Sequence, residues 1–163
     1  MHVHKRMIKL KRKTLFIIMC LLSLTATVYS GTAESNEINW NDNEIRWWQY
    51  DEGLDYAWRE GKPVIIIFYT DWCPACKKYG RVFQDKRVIT ESSKFVMVRI
   101  NRDHNKELSV KYGFDGMYIP RTIALYPDGK VMHEIYHQKN YRYYIGTGAN
   151  RLLTLMKDAY SRL

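Results

Sequence analysis

Uninterrupted apolar runs and apolar residues at helical spacing alternate along this 163-residue chain. The continuous β-branched run Val64–Tyr69 is typical of a strand that is covered on both faces, and Phe95–Ile100 is predicted to be a second strand. A Pro-Asp-Gly turn separates two further predicted strands, Thr122–Tyr126 and Lys130–His137. The helical period predicts four helices: residues 44–60 with a break at Gly53, residues 74–87, Asn105–Tyr112 and Asn150–Tyr160.

The predicted order is therefore helix, strand, helix, strand, helix, two strands and a final helix. Strands that alternate with helices in this way predict an α/β domain with helices on both faces of a central sheet. The composition agrees, because 46% apolar and 26% charged residues are typical of a globular protein rather than a disordered one.

The first 33 residues differ from the rest of the chain in charge and apolar content. Six basic residues lie between positions 5 and 13, no acidic residue precedes Glu34, and an apolar stretch from Leu15 to Leu24 leads to small residues around Ser30. This pattern predicts a secretory signal peptide over residues 1–30. The apolar stretch is shorter than the ~20 residues that span a bilayer, and an uncleaved membrane anchor is the alternative. Residues 31–43 are predicted to be a flexible lead-in to a domain over 44–163.

The leader also accounts for much of the formal net charge of +9. Of the 26 basic residues, six belong to the leader, and the remaining 20 face 17 acidic residues. A domain with this near balance lacks the strongly basic surface that nucleic-acid binding requires. Nucleic acid is therefore not a predicted partner.

Two of the three cysteines form a Cys-Pro-Ala-Cys motif between a predicted strand and a predicted helix, and the third, Cys20, lies in the leader. This placement predicts thiol–disulfide chemistry. The backbone N–H groups and the dipole of the helix start favour a negative sulfur at Cys73, and Pro74 suits the first helical turn. Cys73 is the predicted nucleophile, Cys76 the resolving thiol, and the pair the redox-active disulfide.

Metal binding is the alternative use of a Cys-x-x-Cys motif. A structural zinc site needs two more ligands, and the processed chain has no further cysteine. His133 and His137 match a metalloprotease pattern, but on a strand they would lie ~13 Å apart. No metal or other cofactor is predicted.

Four motifs give the chain a resemblance to the thioredoxin superfamily over residues 38–161. They are Trp72-Cys73-Pro74-Ala75-Cys76-Lys77, Lys111-Tyr112-Gly113, Ile119-Pro120-Arg121-Thr122 and Pro127-Asp128-Gly129-Lys130. Two branches are especially similar, namely the small thioredoxin-like proteins of the anterior-gradient group and the C-terminal domain of the bacterial transmembrane disulfide reductase. The resemblance implies a thioredoxin fold, with a mixed sheet of four or slightly more strands between helices.

The resemblance also implies roles for residues around the cysteines. Ile119 and Pro120 would form a cis peptide bond beside the thiols, so that Trp72, Pro74, Ile119 and Pro120 line a substrate groove. Ile67 stands where thioredoxins keep a buried Asp. This difference predicts that Cys76 releases the substrate without help from a buried base. Arg121 is interpreted either as a substrate contact or as a solvated edge residue. Met117-Tyr118 is interpreted as packing under the loop rather than lining the groove.

These observations predict an exported thiol–disulfide oxidoreductase that acts on protein disulfides, in the reductase or isomerase direction. The alternative is a thiol metallochaperone for copper or haem maturation, or a redox-linked binding module. Predicted partners are proteins with disulfides or thiols and an unidentified redox partner, with a membrane involved only if the leader is uncleaved. The predicted location is the periplasm or the outside of the cell, with the endoplasmic-reticulum lumen as the alternative.

Overall fold

The computed structural model describes residues 37–135 and 140–163. The predicted signal peptide and His137 lie outside these residues. Four strands are present in the described residues: β1 Trp47–Trp48, β2 Val64–Tyr69, β3 Val96–Asn101 and β4 Arg121–Leu125. The helices of the same residues are α1 Tyr50–Glu60, α2 Pro74–Gly80, α3 Lys86–Ser92, α4 Lys106–Lys111 and α5 Ala149–Tyr160, with a 3₁₀ turn at Arg81–Gln84 between α2 and α3.

The sheet order brings the ends of several elements to one edge. The strands lie in the order β1-β3-β2-β4, with β1, β3 and β2 parallel and β4 antiparallel to β2. The carboxyl ends of the three parallel strands therefore share an edge, and β4 begins there, because Arg121 pairs with Phe68. The segments that follow β2 and β3 and the segment that precedes β4 meet at this edge.

Helices cover both faces of the sheet. Ile65 and Ile67 of β2 belong to a core cluster with residues of α2 and α5, whereas Val64, Ile66 and Phe68 face a second cluster that includes Ala57 of α1. This alternation explains why β2 is apolar at every position. The predicted α/β thioredoxin fold with a four-stranded mixed sheet is confirmed.

The predicted helix over residues 44–60 is wrong at its start and at its break. Trp47 and Trp48 form β1, α1 begins only at Tyr50, and Gly53 lies inside α1. A Cβ atom at Gly53 would stand 3.0 Å from the Cβ of Trp48 and 3.2 Å from Val96. Glycine at position 53 therefore lets α1 approach the sheet closely, and does not end the helix.

The predicted strand over residues 130–137 is also wrong in the part that the structure describes. Val131 forms a single bridge with Leu125, and His133 lies in a turn. Thr122 of β4 donates its N–H to the carbonyl of Tyr143 instead. Two separate segments thus bond to the outer edge of β4, where the sequence predicts one hairpin strand. Likewise, the helix predicted to run to Arg87 ends at Gly80, and Asp85 caps α3 by accepting the N–H of Arg87.

The lead-in predicted to be flexible contributes to the core in its described part. Ile38 and Trp40 are buried, and the ring of Trp40 packs against Trp47 and Tyr69. Asn41 donates through its side chain to the carbonyl of Phe83 across 2.9 Å. The domain therefore includes residues from position 38, and the predicted boundary at 44 is too late. Within residues 37–135 and 140–163 no helix is long and apolar enough to cross a membrane.

Candidate dithiol active site

Cys73 and Cys76 lie at the start of α2, directly after the loop that leaves β2. Cys73 is the N-cap residue, and its Sγ accepts the backbone N–H of Cys76 across 3.2 Å. Its own N–H donates to the carbonyl of Thr70, and its carbonyl accepts the N–H of Lys77. Pro74 occupies the first helical position, where its missing N–H removes no helical hydrogen bond. Both cysteines are free thiols, so the structure describes the dithiol form.

The two thiols differ in burial. Cys73 is 5% exposed, whereas Cys76 is fully enclosed at 0%. Burial, followed by the hydrogen bond with Cys73, raises the pKa of the Cys76 thiol above its usual range. Cys76 is therefore held as a neutral thiol, and of the two sulfur-bearing residues Cys73 is the one with surface exposed to solvent.

Trp72 stands at the surface beside Cys73 and is 62% exposed. Its indole Nε1 donates to the carboxylate of Asp103 across 2.7 Å. Asp103 comes from the loop after β3, where its N–H donates to the side chain of Asn101. The exposed ring is thus fixed in orientation by a residue from a neighbouring strand end.

The segment that precedes β4 carries a cis peptide bond between Ile119 and Pro120, as the resemblance implies. Pro120 is buried, and Ile119 packs against both core clusters, including the cluster that contains the two cysteines. The structure places Trp72, Pro74, Ile119 and Pro120 at the same sheet edge as the thiols.

Both interpretations of Arg121 are wrong, because this residue is fully buried in β4. Its guanidinium donates to the carbonyl of Gly116 and to the carbonyl of Ser109 across 3.2 Å, and it stands 4.8 Å from the ring centroid of Phe68. Burial lowers the pKa of Arg121, although an arginine remains charged in proteins. Arg121 therefore supports the loop before Pro120 from inside the domain.

The pair Met117-Tyr118 divides between two environments. Tyr118 donates its hydroxyl to Asp115 across 2.5 Å and accepts the N–H of Tyr143 across 2.8 Å, which agrees with the prediction of packing under the loop. Met117 is 42% exposed and does not pack in this way.

Ile67 fills the sheet position where a buried acid would stand. It is fully buried, pairs with Thr122 of β4, and lies in the same core cluster as Cys76. The hydroxyls of Thr122 and Tyr79 share a hydrogen bond of 2.9 Å, and burial raises the pKa of Tyr79, which keeps it neutral. Ile67, Thr122 and the neutral Tyr79 therefore supply no base to the Cys76 thiol.

Sequence reasoning missed Arg102 and Asp103. Both follow β3 at the edge where the dithiol loop leaves β2. Polar residues directly after a parallel strand are the signal that could have found them, since the carboxyl ends of parallel strands share an edge.

The described residues contain no group of three or more His, Cys, Asp or Glu side chains that could hold a metal ion. His133, the described histidine of the metalloprotease-like pattern, shares a 3.2 Å hydrogen bond between its Nδ1 and the hydroxyl of Tyr143. The geometry at Cys73 and Cys76 is that of a dithiol able to exchange with a disulfide.

Comparison with known proteins agrees with this geometry. A family model described as Thioredoxin-like matches residues 46–127. The chain is 30% identical to human anterior gradient protein 3 over 138 residues, which cover 77% of this chain and 80% of that protein. The chain therefore belongs to the thioredoxin-like family of thiol–disulfide oxidoreductases.

Solved structures share the fold at low sequence identity. A thioredoxin from Thermus thermophilus superposes with a TM-score of 0.57 at 21% identity, covering 73% of this chain and 89% of that one. A structure described as DsbH oxidoreductase gives a TM-score of 0.56 at 21% identity, with 72% and 85% covered.

Proposed function

We propose that this protein is an exported oxidoreductase that reduces or isomerises protein disulfides through Cys73 and Cys76. The observation that carries the proposal is the N-cap position of Cys73, whose Sγ accepts the N–H of Cys76 while Cys76 itself is buried. This arrangement favours attack by Cys73 and keeps Cys76 protonated until it is needed.

The reaction has two exchange steps. The Cys73 thiolate attacks one sulfur of a substrate disulfide, the substrate S–S bond breaks, and the other substrate sulfur leaves as a thiolate that takes up a proton. Cys76 then loses its proton and attacks Cys73, which releases the second substrate thiol and forms the Cys73–Cys76 disulfide. A redox partner that remains to be identified returns two electrons and two protons to restore the dithiol.

The groove proposed for the substrate lies between Trp72 and Pro74 on one side and Ile119 and Pro120 on the other. An exposed indole beside the nucleophile offers a flat apolar surface to a peptide chain. The proposed substrates are therefore polypeptide segments around a disulfide.

The residues between the cysteines support the proposed direction. A strong oxidant stabilises its reduced form, and such enzymes owe this to a stabilised thiolate. Pro74 and Ala75 bring no ionisable side chain to Cys73, so reduction and isomerisation are favoured over net oxidation. The export proposal rests on the basic and apolar pattern of residues 1–30.

Turnover on a protein disulfide tests the chemistry. The purified full chain, recycled by dithiothreitol, should accelerate insulin reduction, and Cys73→Ser should abolish the acceleration, whereas the matched control Cys20→Ser should keep it. An insulin rate equal to that of dithiothreitol alone, together with no recovery of scrambled ribonuclease, would contradict the proposed chemistry.

Export is tested separately by expressing the full chain in a bacterium. We expect the periplasmic fraction to contain a shorter protein whose N-terminal sequence begins near residue 31. Recovery of only the full-length chain in the cytoplasm would contradict the proposed export and would leave the dithiol chemistry standing.

A further inference from the structure

Arg102 is held at the edge of the proposed groove by its own backbone. Its N–H donates to the carbonyl of Tyr69 across 2.9 Å. Tyr69 is the last residue of β2, four positions before Cys73. The side chain of Arg102 therefore starts from the sheet edge where the loop to Cys73 begins.

The guanidinium of Arg102 contacts both sides of that groove. Its Nη1 donates to the carbonyl of Met117, and its Cζ lies 6.0 Å from the ring centroid of Trp72, the residue before Cys73. These two contacts place a positive charge where the loop after β2 meets the loop that leads to Pro120.

No carboxylate neutralises this charge by direct contact. Within residues 37–135 and 140–163, the ion pairs join other side chains and none includes Arg102. Asp103 accepts the indole N–H of Trp72, and Asp71 accepts the side-chain amide of Asn101. The Arg102 side chain is partly exposed, and the bond to Met117 uses one of the several N–H donors of a guanidinium. Donors therefore remain for a substrate group.

A second guanidinium lies behind the same loop. Arg121 is fully buried and donates to the carbonyl of Gly116, the residue before Met117. Two guanidinium groups thus bind successive carbonyls of the loop that leads to Pro120. Like charges at the edge of a low-dielectric interior attract an anion more strongly than one charge in water does. A guanidinium binds a carboxylate best, through two parallel N–H···O bonds.

We propose that Arg102 is a specificity-determining residue, which favours substrate polypeptides that carry an acidic side chain close to the cysteine of their disulfide. The Asp or Glu carboxylate of the substrate accepts the remaining N–H donors of Arg102 while the substrate sulfur lies beside Cys73. This inference rests on the proposed function and names its substrate class. Arg102 takes no part in the exchange of S–S bonds and neither gains nor loses a proton.

Matched peptide disulfides test the proposal. Fluorescence-quenched peptides carry Glu, Gln or Lys in turn at each of the two positions on either side of the cysteine. The purified full chain, recycled by dithiothreitol, reduces them, and kcat/KM is obtained after subtraction of the rate with dithiothreitol alone. Arg102→Gln removes the charge, and Arg102→Lys keeps it without the planar fork. Lys78→Gln is the control for loss of an exposed positive charge on α2.

We expect the unmodified protein to prefer Glu over Gln about fivefold in at least one position, as for a favourable exposed ion pair. The charges of Asp71 and Asp103 in the same loops oppose a larger preference. Arg102→Gln should abolish the preference and change kcat/KM for the Gln peptide by no more than about twofold, because a neutral side chain forms no ion pair. Arg102→Lys should keep a preference of about threefold, and Lys78→Gln should keep all of it.

A Glu preference that persists in Arg102→Gln, or one that is lost in Arg102→Lys or in Lys78→Gln, would overturn the proposal. Equal losses on the Glu and Gln peptides in Arg102→Gln would also contradict it, because they would indicate a role confined to holding the Met117 carbonyl. If the unmodified protein reduces every peptide without preference, the specificity alone is wrong. If it reduces none of them, including the Gln peptides, the proposed function itself fails.

Discussion

The backbone N–H of Cys76 donates to the Sγ of Cys73 across 3.2 Å, so the proposed resolving residue also holds the sulfur of the proposed nucleophile. Burial, and after it a side-chain hydrogen bond with the thiol of Cys73, raises the pKa of Cys76. Two thiols one helical turn apart therefore lie in different environments, which suits them to different proposed roles.

The pH dependence of resolution should reflect Cys76. A raised pKa means that the thiolate is a small fraction at neutral pH and grows about tenfold with each pH unit. The rate of mixed-disulfide decay should therefore rise with a slope near one between pH 6 and 9, as measured by rapid acid quench. A plateau that begins below pH 8 would contradict the burial argument.

Trp72 should matter for substrates but not for folding. Trp72→Ala should lower kcat/KM for insulin about tenfold, which corresponds to ~1.4 kcal/mol of lost binding to the transition state. Stability should change by no more than ~0.5 kcal/mol, because the ring is largely exposed. Trp58→Ala is the matched control, since Trp58 is 69% exposed on α1. Equal activity of the two variants would contradict the proposal that Trp72 lines the substrate groove.

Gly80 tests the packing of the segment before β1. A Cβ atom at position 80 would stand 2.4 Å from the Cγ2 of Ile38, whereas one at Gly148 would meet no atom within 4 Å. Gly80→Ala should therefore reduce the free energy of unfolding by roughly 1–3 kcal/mol, and Gly148→Ala by a few tenths.

Urea unfolding measures both variants. Adding Ile38→Ala to Gly80→Ala should cost less than the sum of the single changes, because the shortened side chain removes the clash. Unchanged stability in Gly80→Ala would show that Ile38 does not pack against α2.

Arg121 should contribute to stability through the carbonyls that it binds. Arg121→Met leaves the buried carbonyl of Ser109 and the partly buried carbonyl of Gly116 without this donor, at about 1–3 kcal/mol for each. Urea unfolding should show a loss of about 3 kcal/mol, against no more than ~0.5 kcal/mol for Arg87→Met. If Arg121→Met is as stable as the unmodified protein, the hydrogen bonds of Arg121 to these carbonyls do not contribute to stability.

The parts of the fold that the sequence predicted are those that local pattern determines. Val64–Tyr69 is apolar throughout because both faces of β2 are covered, and that run places Cys73 at a strand–helix junction. The sequence predicts a helix at Trp47 and Trp48 because a two-residue strand has too few positions to show a period. A glycine predicts a helix break at position 53, whereas the close contact with Trp48 that requires a glycine there arises only from tertiary packing.

Some residues of the candidate site are likewise recognisable from the sequence, and others are not. Cys73 and Cys76 are recognisable from their spacing, whereas the charge of Arg121 predicts contact with solvent or substrate. Its burial depends on the carbonyls of Ser109 in α4 and of Gly116 in the loop before Pro120. No local sequence pattern shows that these carbonyls meet Arg121. Arg102 acquires its position only when β3 lies parallel to β2.

Trapping of a covalent intermediate tests the central claim most directly. Purified Cys76→Ala protein is mixed with a peptide disulfide, and the products are analysed by intact mass and peptide mapping. We predict one adduct, attached at Cys73 and released by dithiothreitol, and none with Cys73→Ser. Absence of an adduct in Cys76→Ala, or its attachment at a residue other than Cys73, would contradict the account.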